Sequence, residues 1–323
     1  MRKTYGVLIA ALFCAAAAPA GAEELKMLSS WDDRYAGTRV MADAFAEAVT
    51  KATGGKITIK RSGPEVVPVM QQLQPVSAGV FPLLFSHGGY HAGATGIALA
   101  LDAVAGDPVK RRESGLWDFV DAHYRKHNIK VIALPIAGSS GYHYFLRKPV
   151  TDGFKGLKVR GTTLYHKMIT TLGGSPVVLP GTEIYTALEK GVVDGAGWAL
   201  MGGLDYKWYE VAKYVSRPTY GVSTHLILMN RAAWEKLDAP TQKVFLDVGR
   251  KLETESIAAF DKFIAAEMEE LKKRGVQETS LGRPKEEIER LWADGVWQVA
   301  LAGPAKADAE LMRKLAIEKG LTK

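Results

Sequence analysis

The residue whose type and place promise the most chemistry is Arg160, where the run Leu157-Lys158-Val159 gives way to Gly161-Thr162-Thr163. That change reads as a strand ending and a helix beginning. An arginine there faces the crevice at the carboxyl ends of the strands, where open α/β sheets bind ligands. Guanidinium is a planar fork that matches a carboxylate through two parallel hydrogen bonds, so the predicted chemistry is capture of a small carboxylate. A second strand-to-helix loop, Ser86-His87-Gly88-Gly89-Tyr90-His91, is placed to supply the facing wall of a cleft. The competing expectation for Arg160 is an ion pair that merely stabilises a loop.

Catalytic signatures are missing. There is no G-x-S-x-G elbow, Walker loop, G-x-G-x-x-G or H-E-x-x-H, and the one cysteine, Cys14, lies near the start of the chain. His87 and His91 stand four apart, as do His123 and His127, a spacing at which two imidazoles can share a metal on one helical face. Arg125 and Lys126 flank the second pair, so it reads as a solvated face, and the run Lys110-Arg111-Arg112 as a solvated helix start. The net charge of +7 comes from scattered basic residues, which is no footprint for nucleic acid.

The elements that must position Arg160 follow from periodicity. From Gly153 to Trp198 the chain reads strand, helix, strand, helix, strand. Ahead of it, a strand over Leu25–Ser29, a helix from about Thr38 to Lys51, a strand with Ile57 and Ile59, a helix over Val66–Ser77 and a strand over Phe81–Phe85 form a parallel β-α-β series. A helix over Arg112–His127 and strands over Ile129–Leu134 and Tyr142–Leu146 follow. Thr224–Asn230 is a strand expected to return to the first domain. Asp238 and Pro240 open a long helix to Arg274, with Val244, Val248, Leu252, Ser256, Phe260, Ile264, Met268 and Leu271 on one face. It would span ~50 Å, long enough to brace two domains.

The first residues, with Arg2 and Lys3, an apolar run from Tyr5 to Ala18 and Ala20-Gly21-Ala22, read as a secretory signal peptide. The run is short of the ~20 apolar residues of a spanning helix. Cleavage after Ala22 would remove the only cysteine and two positive charges. The fold class expected is α/β in two domains, with the long helix as brace. The first domain takes 23–146 plus about 226–260, and the second 147–225 plus about 261–323 with the C-terminal helices.

The stretches Phe154-Lys155-Gly156-Leu157-Lys158-Val159-Arg160, Leu172-Gly173-Gly174, Pro180-Gly181-Thr182-Glu183-Ile184-Tyr185-Thr186-Ala187-Leu188-Glu189-Lys190-Gly191 and Val193-Asp194-Gly195 resemble the solute-binding proteins of TRAP (tripartite ATP-independent periplasmic) transporters. Gly54-Gly55-Lys56-Ile57 and Asn230-Arg231-Ala232-Ala233-Trp234 fit the same family, so the resemblance runs through most of the chain after the leader. It implies a two-domain periplasmic binding protein clamshell (type II-like), a non-enzymatic periplasmic receptor that closes on an organic acid and delivers it to TRAP membrane permease subunits, with Arg160 on the ligand carboxylate. Gly63-Pro64-Glu65-Val66-Val67-Pro68, the Gly88-to-His91 loop and Gly197-Trp198 resemble the branch that binds 2-oxo and 2-hydroxy monocarboxylates. There an acidic residue before the tryptophan, with a glutamine, can hold a cation beside the ligand. Gly197 stands at the acidic position and His143 or Tyr142 near the glutamine's place, so the cation site lacks its carboxylate and no cofactor is expected.

Around the ligand the sequence places Trp31, Tyr90, His91, Tyr142, His143, Arg160, Trp198, Met201 and Tyr220. One arginine among so many aromatics suits a monocarboxylate with an apolar or aromatic body. Two rival readings stay open at this point: a binding protein that serves a sensor or an ABC importer, and a secreted enzyme with His91 or His143 as general base.

Overall fold

The computed structural model describes residues 22–322. Apart from Ala22, the expected signal peptide lies outside the described residues. Eleven strands run along the described residues: β1 (Glu23–Ser29), β2 (Ile57–Ser62), β3 (Leu83–His87), β4 (Ile129–Ala133), β5 (Tyr142–Leu146), β6 (Lys158–Arg160), β7 (Ser175–Val177), β8 (Gly195–Ala199), β9 (Tyr214–Arg217), β10 (His225–Asn230) and β11 (Gln277–Ser280). They form two sheets, ordered β2-β1-β3-β10-β4 and β11-β9-β5-β8-β6-β7. In the first, β1, β2 and β3 are parallel, as the β-α-β reading requires, and β10 enters antiparallel between β3 and β4. In the second, β6 is parallel to β7 and β8, while β5 is antiparallel to β8 and β9.

Strands β3, β5 and β10 are buried along their whole length. That is why they read as near-continuous apolar runs without alternation, as strands covered on both faces do. β10 does return to the first sheet. β5 lies in the second sheet, so the expected boundary at 146 falls a full strand too late. Two of the three connections between sheets, β4 to β5 and β9 to β10, run side by side: Ala137 N–H donates to the Ser223 carbonyl (3.0 Å), Gly141 N–H to Gly221 (3.0 Å), and Tyr142 N–H to Tyr220 (2.9 Å). Of the stretch 261–323 expected for the second domain, β11 lies in the second sheet, while the C-terminal helices reach both sheets' helices. Helix Lys285–Ala302 packs on His166–Thr171 beside the second sheet and on Ile97–Ala100 of the first, and helix Lys306–Glu318 packs on Leu116–Arg125 of the first.

Three helices differ from expectation for identifiable reasons. In place of one helix over Val66–Ser77 there is a 3₁₀ turn at Val69–Gln71 and a short helix at Leu73–Ser77, because the residue before Pro68 is pushed out of the helical region. The Arg112–His127 helix is split at Gly115, whose φ of +80° ends one helix and opens the next. Its basic run is not solvated. Arg111 is 1% exposed and donates to the carbonyls of Ala105 and Leu101 and to Thr224 Oγ1, while Arg112 reaches the carboxylate of Glu253.

The long helix spans Ala239–Lys273, capped by Asp238, whose carboxylate accepts the Thr241 N–H. Its fully buried face carries Phe245, Gly249, Glu253, Ser256, Phe260, Glu267 and Leu271; Val244, Val248 and Leu252 are half-buried beside it. The shift follows from two carboxylates that the apolar pattern hid. Glu253 accepts from Trp117 Nε1 (2.8 Å) and Leu134 N–H (2.7 Å). Burial pushes the Glu267 carboxyl up to about 7, against the opposing pull of the Gly202 and Leu204 N–H groups. The unfolded carboxyl ionises near 4.5, so the unfolded chain loses this proton first. Stability is therefore expected to fall between those two pH values and to level off above. Urea midpoints measured across that window should decline less in Glu267→Gln than in the parent.

Candidate functional site

The carboxyl ends of β1, β3, β6 and β8, with the amino ends of the antiparallel β5 and β10, meet where the two sheets face each other. The cavity there is small, about 50 Å³. Trp31, Tyr35, His87, Tyr90 and His225 form its wall on the first sheet; Tyr142, Arg160, Thr162, Tyr165 and Trp198 form the wall on the second.

Arg160 ends β6 and is 1% exposed. Its Nε–H and one Nη2–H donate to the Leu179 carbonyl (2.9 and 2.8 Å), and one Nη1–H to the Gly197 carbonyl (2.9 Å). Of the five guanidinium donors this leaves one on each terminal nitrogen. The guanidinium sits 5.2 Å from the centre of the Trp198 ring, a cation–π distance. Among the described residues no Asp or Glu lies within ion-pair reach of it, so the loop-stabilising ion pair is not what holds Arg160. Burial lowers its pKa; the neighbouring Tyr90 and Tyr165 hydroxyls oppose that shift. Next to it, Thr162 Oγ1 is buried, lines the cavity and has no partner.

The opposite wall is neutral by construction. His87 Nδ1 accepts the Gly89 N–H (3.0 Å), which puts the ring proton on Nε2, where it donates to Asp102 Oδ2 (2.9 Å). Tyr142, from the other sheet, donates its hydroxyl to the same oxygen (2.5 Å), and Asp102 Oδ1 accepts the Thr224 N–H (2.9 Å). His225 lies against Phe85 and Tyr35, with Nε2 2.9 Å from the Tyr35 hydroxyl. Burial pushes its pKa well down, so it too is uncharged. Among the described residues, Arg160 is the one arginine or lysine that lines the cavity.

Five of the nine sequence-predicted residues, Trp31, Tyr90, Tyr142, Arg160 and Trp198, converge on the cavity. The other four do not. His91 turns behind its loop, with Nε2 2.6 Å from the Tyr124 hydroxyl, and burial lowers its pKa to about 3. His143 follows Tyr142 on β5 and projects to the other face, its ring 4.6 Å from Phe145. Tyr220 packs among Tyr142, Tyr144 and Trp292, and Met201 is buried in the apolar core. Tyr35, His87, Tyr165 and His225 were missed. His87 was visible in the loop after β3, and Tyr165 in the turn five residues past Arg160; nothing local marked Tyr35 or His225. The spacing of His123 and His127 reflects neither a metal nor a solvated face: His123 is buried under the C-terminal helix, with Nδ1 2.5 Å from Asp308 and Nε2 2.6 Å from Thr95 Oγ1. No group of three or more His, Cys, Asp or Glu that could hold a metal occurs among the described residues.

Gly197 explains itself sterically. A Cβ there would stand 2.6 Å from Tyr165 Cδ1 and 3.1 Å from Tyr144 Cε1, so Tyr165 fills the space an acidic side chain would need.

A two-lobed α/β protein with a buried, unpaired cation between its sheets is a ligand-binding clamshell. Residues 105–299 match the family described as bacterial extracellular solute-binding protein, family 7, and the chain belongs to it. It is 31% identical, over 68% of its own length, to a monocarboxylate 2-oxoacid-binding periplasmic protein of Nostoc. The match spans 63% of that relative, and less than half of the other curated relatives from Haemophilus influenzae and Chromohalobacter salexigens. The fold is that of a Bordetella pertussis extracytoplasmic solute receptor binding pyroglutamic acid (TM-score 0.80, 18% identity, covering 92% of this chain and 100% of that one). It also matches a TRAP periplasmic solute-binding protein from Desulfovibrio salexigens with bound orotic acid (TM-score 0.80, 24% identity, 92% and 98%). No helix among the described residues is long and apolar enough to cross a membrane.

Proposed function

We propose that this protein is a periplasmic TRAP solute receptor for a small organic acid with one carboxylate and a flat or ring-bearing body. After cleavage of its signal peptide it would hand that acid to the membrane permease subunits. The observation that carries this is Arg160, a buried guanidinium with two open N–H donors and no protein anion. A buried charge without a partner is costly, and a ligand carboxylate supplies the partner. The aromatic walls suit the rest of the ligand. A dicarboxylate would find no second cation there, only Asp102 behind the wall. Three of the similar proteins bind monocarboxylates, a 2-oxo acid, pyroglutamic acid and orotic acid, while another curated relative binds C4-dicarboxylates. The general-base alternative loses its footing because His91 and His143 are sealed away from the cavity.

Closure would act by population shift, since the ligand touches both walls only when the lobes are together. The test is a thermal-shift panel of pyroglutamate, orotate, pyruvate, lactate and benzoate against succinate and glutarate, each with EDTA or Ca²⁺. A binding acid at ~100 Kd adds ~2.7 kcal/mol to stability. The expected result is a shift with one or more monoacids, unchanged by EDTA because Tyr165 fills the cation's place. A shift that needs Ca²⁺, or one confined to dicarboxylates, contradicts the reading.

A further inference from the structure

Across the turn that packs on Trp198 lies a buried carboxylate that no ion pair neutralises among the described residues. Glu267 of the long helix is 6% exposed and takes its hydrogen bonds from backbone alone. The Gly202 N–H lies 3.0 Å from both of its oxygens, and the Leu204 N–H 3.0 Å from Oε1. The turn it grips begins three residues after β8. Gly202 has a φ of +110°, a backbone region that other residues avoid. A Cβ there would stand 3.1 Å from Trp198 Nε1 and 3.4 Å from the Tyr206 ring, so this backbone lies flat against the indole edge. Tyr206 meets Trp198 edge-on at 6.0 Å and stacks on Trp208 at 5.2 Å, and Trp208 meets Trp198 at 5.1 Å. The Trp198 Nε1–H is buried without a hydrogen-bond partner. Packing against this turn and these rings therefore sets the indole's orientation, with no polar anchor of its own.

We propose that Glu267 is a positioning residue of the ligand site: from the helix that braces both lobes it pins the Gly202–Leu204 turn, which holds Trp198 in the orientation that backs Arg160 and walls the cavity. Its relevance to binding rests on the organic-acid reading above, but the placement of Trp198 does not. Removing the acceptor strands two buried N–H groups, and the turn must open toward water to satisfy them. The indole then loses its rear support. The link also gives the long helix a direct contact with the wall that carries the arginine.

The experiment reads the indole Nε1–H cross-peaks of ¹⁵N-labelled protein without ligand, with Trp198→Phe identifying the peak in question. In Glu267→Met, the Trp198 peak is expected to move while the peaks of distant indoles such as Trp117 and Trp234 stay, and the Gly202 and Leu204 amides should exchange about tenfold faster or more, the scale of one lost buried hydrogen bond. Glu267→Gln, which retains one acceptor oxygen, should restore most of both. The acid that gives the largest thermal shift should bind Glu267→Met about tenfold more weakly, with Glu267→Gln between the two. Should Glu267→Met not fold, Glu267→Asp, which withdraws the acceptor by one carbon–carbon bond, reads the same peak. An unmoved Trp198 peak with Leu204 still protected overturns the proposal. If the peak moves but no acid of the panel binds, the organic-acid reading fails and the positioning role stands.

Discussion

Replacing Arg160 by alanine or methionine is expected to weaken binding of the acid by about 2 to 5 kcal/mol, roughly thirtyfold to several-thousandfold in Kd, the range for removing one partner of a buried charge pair. The effect is large because the guanidinium is already oriented. The Leu179 and Gly197 carbonyls hold three of its donors, so little entropy is lost when a carboxylate takes the other two. Lysine does not substitute: a point charge lacks the fork and cannot satisfy two backbone carbonyls as well as a ligand. The same geometry governs a second effect. Without ligand, Arg160 is a buried cation with no counter-charge. Arg160→Met relieves that burial but leaves the Leu179 and Gly197 carbonyls without donors, so it is expected to change the stability of the unliganded protein little while abolishing stabilisation by the acid. Isothermal titration and urea unfolding on the same samples separate the two. Affinity within threefold of the parent would remove Arg160 from the site.

Asp102→Ala is expected to cost about 3 to 5 kcal/mol of folding stability, the penalty for breaking a buried charged network from one side. Asp102 is fully buried and receives His87 Nε2–H, the Tyr142 hydroxyl and the Thr224 N–H. Its charge also helps to offset that of buried Arg111. Alanine strands three donors and leaves that cation without its nearest support. His87 and Tyr142 come from different sheets and both line the cavity, so the same substitution should loosen the walls of the site. Urea unfolding followed by circular dichroism reads the stability, and a loss below about 1 kcal/mol would show that the network is dispensable.

Arg160 and Trp198 were legible because each sits at or beside the end of a short strand whose flanking glycines and apolar residues mark its limits. The position of a strand end says which way a side chain faces without knowledge of its partners. His91 and His143 were misplaced for the complementary reason. Each adjoins a cavity residue, and a turn of backbone or the alternation of a strand sends neighbours to opposite sides, so an error of one position reverses the reading. His225 and Tyr35 join the site only because β10 returns between β3 and β4, a pairing between residues far apart in the chain. The buried face of the long helix was read one residue away over its first half because Glu253 and Glu267 look like solvent-facing residues in the sequence. The donors brought to them by the fold make their burial tolerable: Arg112, Trp117 and the Leu134 N–H for Glu253, and the Gly202 and Leu204 N–H groups for Glu267.

The central claim is that Arg160 takes the ligand's carboxylate, and a double comparison tests it most directly. The acid giving the largest thermal shift and its carboxamide, pyroglutamate against pyroglutamamide or orotate against orotamide, are titrated into the parent and into Arg160→Met. The account predicts that the parent strongly prefers the acid, and that Arg160→Met binds acid and amide with nearly equal, weak affinity. If Arg160→Met discriminates acid from amide as sharply as the parent does, another group holds the carboxylate and the account is wrong.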